Sequence, residues 1–293
     1  MKPLVSIVIP TYNRAYDLRR ALDSIIIQSY SNWEVIIVDN NSTDDTDYVI
    51  NSFHEKKFRL FKIENKGLIA ASRNLGIRES KGEYIAFLDS DDWWKESKIS
   101  AAIDQLEKGH DILYHDLFLV NKNKQRFFFK KTHSKILTTP VFYDLLKKGC
   151  TLPHSSVVIR KTILTRLGGL PENYEIDNWG DYYGWLEISR VTNKFIKLPG
   201  VYGYYWTGGG NYTTPERTLS AINFFEILYR KEIQDIGEHF YNWINYTKGM
   251  LYWKLGKRDL SIKRFTSVKF ELNRITIYIK ARIMLISIRL KLI

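Results

Sequence analysis

Short apolar runs alternate with helix-spaced apolar positions through the first hundred residues. Val5 to Ile9 is a β-branched run stopped by Pro10, and Val35 to Val38, Phe58 to Ile63 and Tyr84 to Leu88 are three more. Unbroken apolar runs of this length fit strands buried on both faces, as in a parallel sheet. Between them, Leu18, Leu22, Ile25 and Ile26 recur at helical spacing in the segment Asp17 to Gln28, where Asp17 suits the positive end of a helix. Thr43 to Phe53, Gly67 to Glu79 and Lys95 to Lys108 read as further helices. This alternation predicts an α/β fold with a mostly parallel, doubly wound central sheet flanked by helices. Sites on such sheets form at the carboxyl ends of the strands.

Beyond residue 110 the pattern becomes mixed. Asp111 to Val120 and Gln125 to Lys130 read as strands paired around the turn Asn121-Lys122-Asn123. Ser155 to Ile159 predicts a strand leading into a helix, Lys161 to Leu167, ended by Gly168-Gly169. Asp181 to Arg190 reads as a helix, and Phe195 to Leu198 and Val201 to Tyr205 as the last short strands. Gly208-Gly209-Gly210 is a flexible turn and a candidate mobile loop. After Pro215 the pattern is helical to the end, and no internal repeat is present.

Two acidic clusters follow predicted strands. Asp89-Ser90-Asp91-Asp92 places three carboxylates in four residues. Such charges repel, and a fold that gathers them commonly holds a cation. Mg²⁺ or Mn²⁺ accepts one or two carboxylates plus phosphate oxygens. A solvated acidic turn capping the next helix is the competing reading. The second cluster runs from Asp39 to Asp45. Asp39 is placed to accept hydrogen bonds from a base or ribose, while Asp44 and Asp45 read as helix caps. Pro10, Tyr12 and Asn13 stand at the first strand end, with the Tyr12 ring either against a base or in the core. Arg73 and Asn74 lie early in their helix, whose start presents unpaired N–H groups. Arg73 either braces a phosphate and orients Asp89, or lies on the surface with a packed stem.

Two readings also fit Asp181, a helix cap and a general base. Trp179 and Trp185 beside it are either a sugar-stacking platform or core. His154 has no second His or Cys at ligand spacing, which argues against zinc, and His115-Asp116 reads as structural or acceptor-side. The Gly-x-Gly-x-x-Gly fingerprint is absent after the first strand, which argues against a nicotinamide dehydrogenase.

Composition changes the picture in two places. The lone cysteine, Cys150, excludes an internal disulfide and a cysteine zinc site and fits a reducing compartment. The opening Met-Lys-Pro runs into a strand whose apolar pattern breaks too early for a signal peptide, and no stretch reaches the roughly 18 apolar residues of a membrane span. A cytoplasmic catalytic part is the expectation. The formal charge of +12 is localised: eleven Lys or Arg lie between Lys254 and Ile293 against only Asp259 and Glu271. A basic region of this kind meets an anionic bilayer or a nucleic acid. Because the excess sits in this region rather than around the predicted crevice, nucleic acid is disfavoured. On a single helix from Leu272 to Ile293, Arg282 and Arg289 share a face while Lys280 and Lys291 do not, so polar and apolar sides do not separate cleanly. Peripheral attachment through snorkelling side chains and packed helices at a homodimer interface both fit.

The motifs taken in order resemble the family 2 glycosyltransferases, inverting enzymes with the GT-A fold, from Val5 to about Tyr205. Ser6-Ile7-Val8-Ile9-Pro10-Thr11-Tyr12-Asn13-Arg14 is similar to the family's opening strand and nucleotide-binding loop. Ala21-Leu22-Asp23-Ser24-Ile25 with Gln28-Ser29-Tyr30 is similar to its first helix, and Glu34 to Thr46 to its second strand and turn. Asn65-Lys66-Gly67 with Ala71-Ser72-Arg73-Asn74-Leu75-Gly76 resembles its central helix entry. Tyr84 to Asp92 resembles its metal motif, and Gly180-Asp181-Tyr182-Tyr183-Gly184-Trp185-Leu186 the segment carrying its catalytic base. Gly180 stands where relatives often carry a first acid, and Trp206 where many carry an Arg.

The resemblance implies a nucleotide-sugar-binding half (residues 1–110) and an acceptor-binding half with the base (111–210), and the basic helical C-terminal region (211–293) follows them. It implies Asp39 on the base, with Pro10, Tyr12, Asn13, Arg14, Arg73, Asp89, Ser90 and Asp91 around the nucleotide. Asp91, helped by Asp89, would hold Mn²⁺ or Mg²⁺, and Asp181 would be the catalytic base. The implied reaction is sugar transfer with inversion from a nucleoside diphosphate donor, UDP-linked, to a saccharide or lipid-linked acceptor in bacterial surface polysaccharide synthesis, at the inner face of the membrane. A nucleotidyltransferase would need a Gly-rich basic loop after the first strand, which is absent. A non-catalytic saccharide-binding module would not need Asp91 and Asp181, and both are present.

Overall fold

The computed structural model describes residues 2–121, 130–149, 152–175, 179–208, 214–272 and 275–290. The expected strand Gln125 to Lys130 except its last residue, Cys150 and most of the triple-glycine turn lie outside the described residues. The elements are β1 (Val5–Thr11), α1 (Ala15–Ile26), β2 (Trp33–Asp39), α2 (Thr46–Ser52), β3 (Phe58–Lys62), α3 (Ile69–Glu79), β4 (Tyr84–Phe87), β5 (Trp93–Trp94), α4 (Lys98–Leu106), β6 (Ile112–Val120) and α5 (Val141–Lys148). They continue with β7 (Val158–Arg160), α6 (Lys161–Leu167), α7 (Gly180–Val191), β8 (Phe195–Trp206), α8 (Pro215–Leu228), α9 (Arg230–Ile236), α10 (Glu238–Lys254), α11 (Arg258–Thr266) and α12 (Ile275–Arg289).

The chain divides into two compact units. The first comprises Met1–Phe142, Thr151–Tyr174 and Gly180–Gly210. Its eight-stranded sheet has the order β3-β2-β1-β4-β7-β6-β8-β5. The strands β3, β2, β1 and β4 are parallel, β7 runs antiparallel to β4 and β6, and β5 runs antiparallel to β8. The sheet is thus parallel in the half that the apolar runs mark and mixed beyond it. Alternate residues of β1 and β2 (Val5, Ile7, Ile9, Val35, Ile37) pack against Leu18, Leu22 and Ile25 of α1 and Ile99, Ala102 and Ile103 of α4. The opposite face receives α3, whose Gly76 passes so close to Val8 that a Cβ there would collide with it.

Strand order reverses between β1 and β4, because the chain steps outward through β2 and β3 and returns to the other side of β1. Ligand crevices form at such a switch point, beyond the strands' carboxyl ends. Register places Thr11 opposite Asp39 and Val8 opposite Phe87, so the turns after all three strands meet on one edge.

Several details differ from the expectations. Trp93–Trp94 forms β5 against β8 where no element is expected, because its partner lies far along the chain. His154–Ser156 is a 3-10 turn, and the strand begins only at Val158. The two expected last strands are one, β8, running through Pro199-Gly200. Helix α5 has no counterpart in the expectations.

The second unit comprises Tyr143–Cys150, Glu175–Trp179 and Asn211–Ile293. In it Trp179 stacks on Trp243 at 5.9 Å and meets Phe225 edge-on, and Trp243 donates to the Leu146 carbonyl. Phe265 and Val268 pack with Ala281, Leu285 and Ile288 of α12.

Candidate active site

The acidic run begins two residues after β4. Its three carboxylates go to different partners. Asp89 accepts from Arg73 Nη2 at 2.7 Å, and its own N–H donates to Ser155 Oγ. Asp91 lies 3.9 Å from Arg14 Nη1, and its carbonyl accepts from Arg20 Nη2 at 2.8 Å. Asp92 is buried, accepting from Ser155 Oγ at 2.6 Å and from the Trp206 backbone N–H at 2.8 Å. Asp92 therefore ties the end of β4 to the turn before β7 and to the end of β8. Ser90 is buried between them.

Like charge and burial set the titration of this run. Burial and the neighbouring Asp89 push the Asp91 carboxyl up to about 6, against the opposing pull of Arg14. Burial, then Asp89 and Asp91, holds Asp92 well above the carboxylate range. A carboxylate that resists ionising beside another is relieved by a bound cation. Asp89 and Asp91 thus fit a divalent metal as a two-carboxylate site. Among the described residues no group of three or more His, Cys, Asp or Glu side chains is arranged to hold one. The remaining ligands would come from a phosphate donor and water, as is usual for Mg²⁺.

Asp181 opens α7. Its Oδ1 lies 2.6 Å from His154 Nδ1 and 3.9 Å from Arg73 Nη1. Arg73 is 7 % exposed, so one buried guanidinium stands between Asp89 and Asp181. Burial raises the Asp181 carboxyl, but His154 first and Arg73 second outweigh it and hold the group at about 2. His154 itself is wedged edge-on against Phe87 and against Trp185. A helix-cap role alone does not account for these contacts. Trp185 is fully buried with its indole N–H on the Leu152 carbonyl, so it is core rather than a sugar platform. Trp179 belongs to the helical unit's aromatic cluster.

The residues expected around a nucleotide line the same edge. Asn13, at a positive φ of 49°, donates its N–H to Ser42 Oγ and accepts from the Thr43 N–H, clasping the turns after β1 and β2. Tyr12 is 54 % exposed and Pro10 half-buried, opposite Val38. Asp39 is fully buried, its carboxylate taken by Ser42 and by Lys62 Nζ at 2.6 Å. A base contacting Asp39 must therefore displace or share Lys62. Asp44 accepts from the N–H groups of Ala15 and Thr46, a cap that also pins the start of α1, whereas no side-chain cap bond comes from Asp45. Asn74 points away, holding Leu170 and Glu172.

Four residues escape the sequence reading. His154 meets Asp181 across two elements, and only its place before a Ser-Ser pair and an apolar strand hints at a site. Arg20 stacks 3.9 Å over Trp93 and 5.0 Å over Trp206 while holding the Asp91 carbonyl. Burial and then Asp92, Asp89, Asp181 and Asp91 raise the Tyr205 phenol well above its usual value, which places it among all the site carboxylates. Lys62 would be read as an ordinary strand-end lysine.

Comparison with known proteins bears on the family and the fold. The profile "Glycosyl transferase family 2" matches residues 6–168. Two Escherichia coli relatives are named UDP-Glc:alpha-D-GlcNAc-diphosphoundecaprenol beta-1,3-glucosyltransferase. WfaP is 31% identical over 230 residues, 78% of this chain and 85% of its own. WfgD is 29% identical over 191 residues, 65% of this chain and 71% of its own. The crystal structure of S. aureus TarS 1-349 in complex with UDP-GlcNAc shares the fold, with a TM-score of 0.68 and 19% identity over 90% of this chain and 81% of that one. The mannosyltransferase PcManGT from Pyrobaculum calidifontis in complex with GDP-Man and Mn²⁺ gives a TM-score of 0.61 at 19% identity, covering 88% of this chain and 76% of that one. With the family profile spanning more than half of its 293 residues and the switch-point crevice carrying the motif acids, this chain belongs to the family 2 glycosyl transferases.

Proposed function

We propose that this enzyme transfers a hexose or N-acetylhexosamine from a UDP-linked donor to a hydroxyl of a lipid-linked saccharide, with inversion, in bacterial surface polysaccharide assembly. The observation that carries the reading is the meeting of Asp89, at the end of β4, and Asp181, at the start of α7, on the buried Arg73. One group thereby sets the distance between a nucleotide-binding acid and a base. The names of the two E. coli relatives support the UDP donor and the diphosphate-lipid acceptor.

In this reading Pro10, Tyr12, Asn13 and Asp39 frame the base, and Arg14, Arg73, Asp89 and Ser90 surround the ribose and diphosphate. Asp91, with Asp89, holds Mn²⁺ or Mg²⁺, which when bound supplies Lewis-acid stabilisation of the departing diphosphate. Asp181 stays ionised at neutral pH, since its carboxyl is held at about 2. It orients the acceptor hydroxyl and receives its proton as the oxygen bonds to the anomeric carbon. That hydroxyl becomes strongly acidic only as the bond forms, so a weak base suffices late in the step. The new C–O bond forms as the bond from the anomeric carbon to the diphosphate breaks, and the diphosphate leaves with the electron pair. One displacement through an oxocarbenium-like state turns an α-linked donor into a β-glycoside. Transfer screened over UDP-, GDP- and dTDP-sugars, with and without Mn²⁺, tests the reading. Metal-dependent turnover with a UDP-sugar is expected, and full activity of Asp181→Asn would overturn the base assignment.

A further inference from the structure

The helix α12 carries two apolar faces. Its inner face, Ala281, Leu285 and Ile288, packs on Phe265 and Val268. Its outer face is exposed and equally apolar: Ile275 (41%), Ile279 (48%), Ile283 (55%) and Ile286 (55%), continued by Leu290 (63%). The spacing is four, four, three and four, so at 100° per residue these five side chains share an arc of about 80°. The same geometry puts Arg289 along one border of the strip and Lys280 along the other, whereas Arg282 is turned inward, donating to the Val268 carbonyl and lying over the Tyr278 ring. Apolar side chains on opposite sides of one helix leave no single polar face, which is why the sequence shows no clean amphipathic helix here.

We propose that this outer strip docks the enzyme on an anionic bilayer, with the isoleucines in the interfacial zone and the flanking bases on lipid phosphates. Single exposed apolar residues are ordinary, but a continuous strip marks an interaction surface. Charge selects the occupant. No acid occurs from Leu272 to Ile293, so a second copy laid strip to strip would bring basic borders together. An anionic leaflet instead attracts both borders while accepting the apolar side chains. No helix among the described residues is long and apolar enough to cross a membrane, so this contact is peripheral. Docking of this kind stands on α12 itself and does not depend on the proposed reaction.

Co-sedimentation of the full chain with vesicles tests it, comparing phosphatidylcholine alone with phosphatidylcholine mixed with phosphatidylglycerol. Binding to the mixed vesicles is expected, weakening with salt. The triple variant Ile279→Ser, Ile283→Ser, Ile286→Ser should lower the partition coefficient about a hundredfold, since three half-exposed isoleucines supply much of the insertion. Leucine at the same three positions should restore binding, and Lys280→Glu with Arg289→Glu should abolish the preference for anionic lipid. Asp181→Asn should bind vesicles like wild type, which separates docking from catalysis. Unchanged partitioning of the serine variant overturns the proposal. So does a wild-type dimer in light scattering that the serine variant dissolves, with no vesicle binding, because a second copy would then cover the strip.

Discussion

Replacing Asp91 by Asn should stabilise the metal-free protein while abolishing its response to Mn²⁺. Burial and Asp89 push the Asp91 carboxyl up to about 6 from the ordinary 3.8. Below pH 3.8 the group is protonated in both folded and unfolded chains and costs nothing. Between 3.8 and about 6 the folded chain keeps a proton that the unfolded chain has released, so stability falls as pH rises through this window. Above about 6 the full penalty remains. A gap of roughly two pH units corresponds to about 3 kcal/mol. The Asp91 side chain is only a quarter exposed, so solvent screens little of this. Asn mimics the neutral acid, and differential scanning calorimetry in EDTA should find Asp91→Asn higher in Tm by about 5 °C at pH about 8. The advantage should shrink toward zero below pH about 4. Mn²⁺ should raise the wild-type Tm at neutral pH and leave that of Asp91→Asn unmoved. If the variant is no more stable than wild type above pH about 6, Asp91 is not repelled in the folded chain and the argument for a cation there fails.

Other expectations follow from the same contacts. His154→Phe keeps the packing against Phe87 and Trp185 but removes the partner of Asp181, and should lower kcat about 10²-fold with the donor KM unchanged in steady-state assays. It should also raise the Asp181 carboxyl from about 2, moving any acid limb of the kcat profile upward, since His154 is the largest influence lowering it. Asp92→Ala leaves the Ser155 hydroxyl and the Trp206 N–H without their partner and should cost about 2–4 kcal/mol in denaturant unfolding, while Asp92→Asn costs less because one acceptor survives. Gly76→Ala should cost about 1–3 kcal/mol through overpacking of α3 on Val8, with kcat unchanged in the fraction that folds.

The parallel half of the sheet is legible because it is written in local pattern. Short β-branched runs such as Val35 to Val38 read as buried strands, and a carboxylate next to such a run then emerges at a strand end. Asp39, Asp89 and Asp91 stand where that logic puts them. The mixed half is less legible, since its elements owe their form to distant partners. Trp93–Trp94 is a strand only because β8 lies alongside, and Pro199-Gly200 interrupts a pattern that β8 carries through with a shift of register against β6. The same holds within the site. Nothing local distinguishes His154 from a core histidine or Arg20 from a surface arginine. Their roles arise when β4, the turn before β7 and the starts of α1 and α7 are brought to one edge. Asp92 is the converse case. Its place in an acidic run makes it look solvated, and burial against Ser155 and Trp206 makes it a clasp.

The most direct test of the central claim is the anomeric configuration of the product, read by NMR from transfer of glucose from α-linked UDP-glucose to a GlcNAc-diphospholipid in the presence of Mn²⁺. The proposed single displacement with Asp181 as base predicts a β-glycoside, formed by the wild type and lost in Asp181→Asn. An α-linked product, or a β-product formed at the wild-type rate by Asp181→Asn, would contradict it.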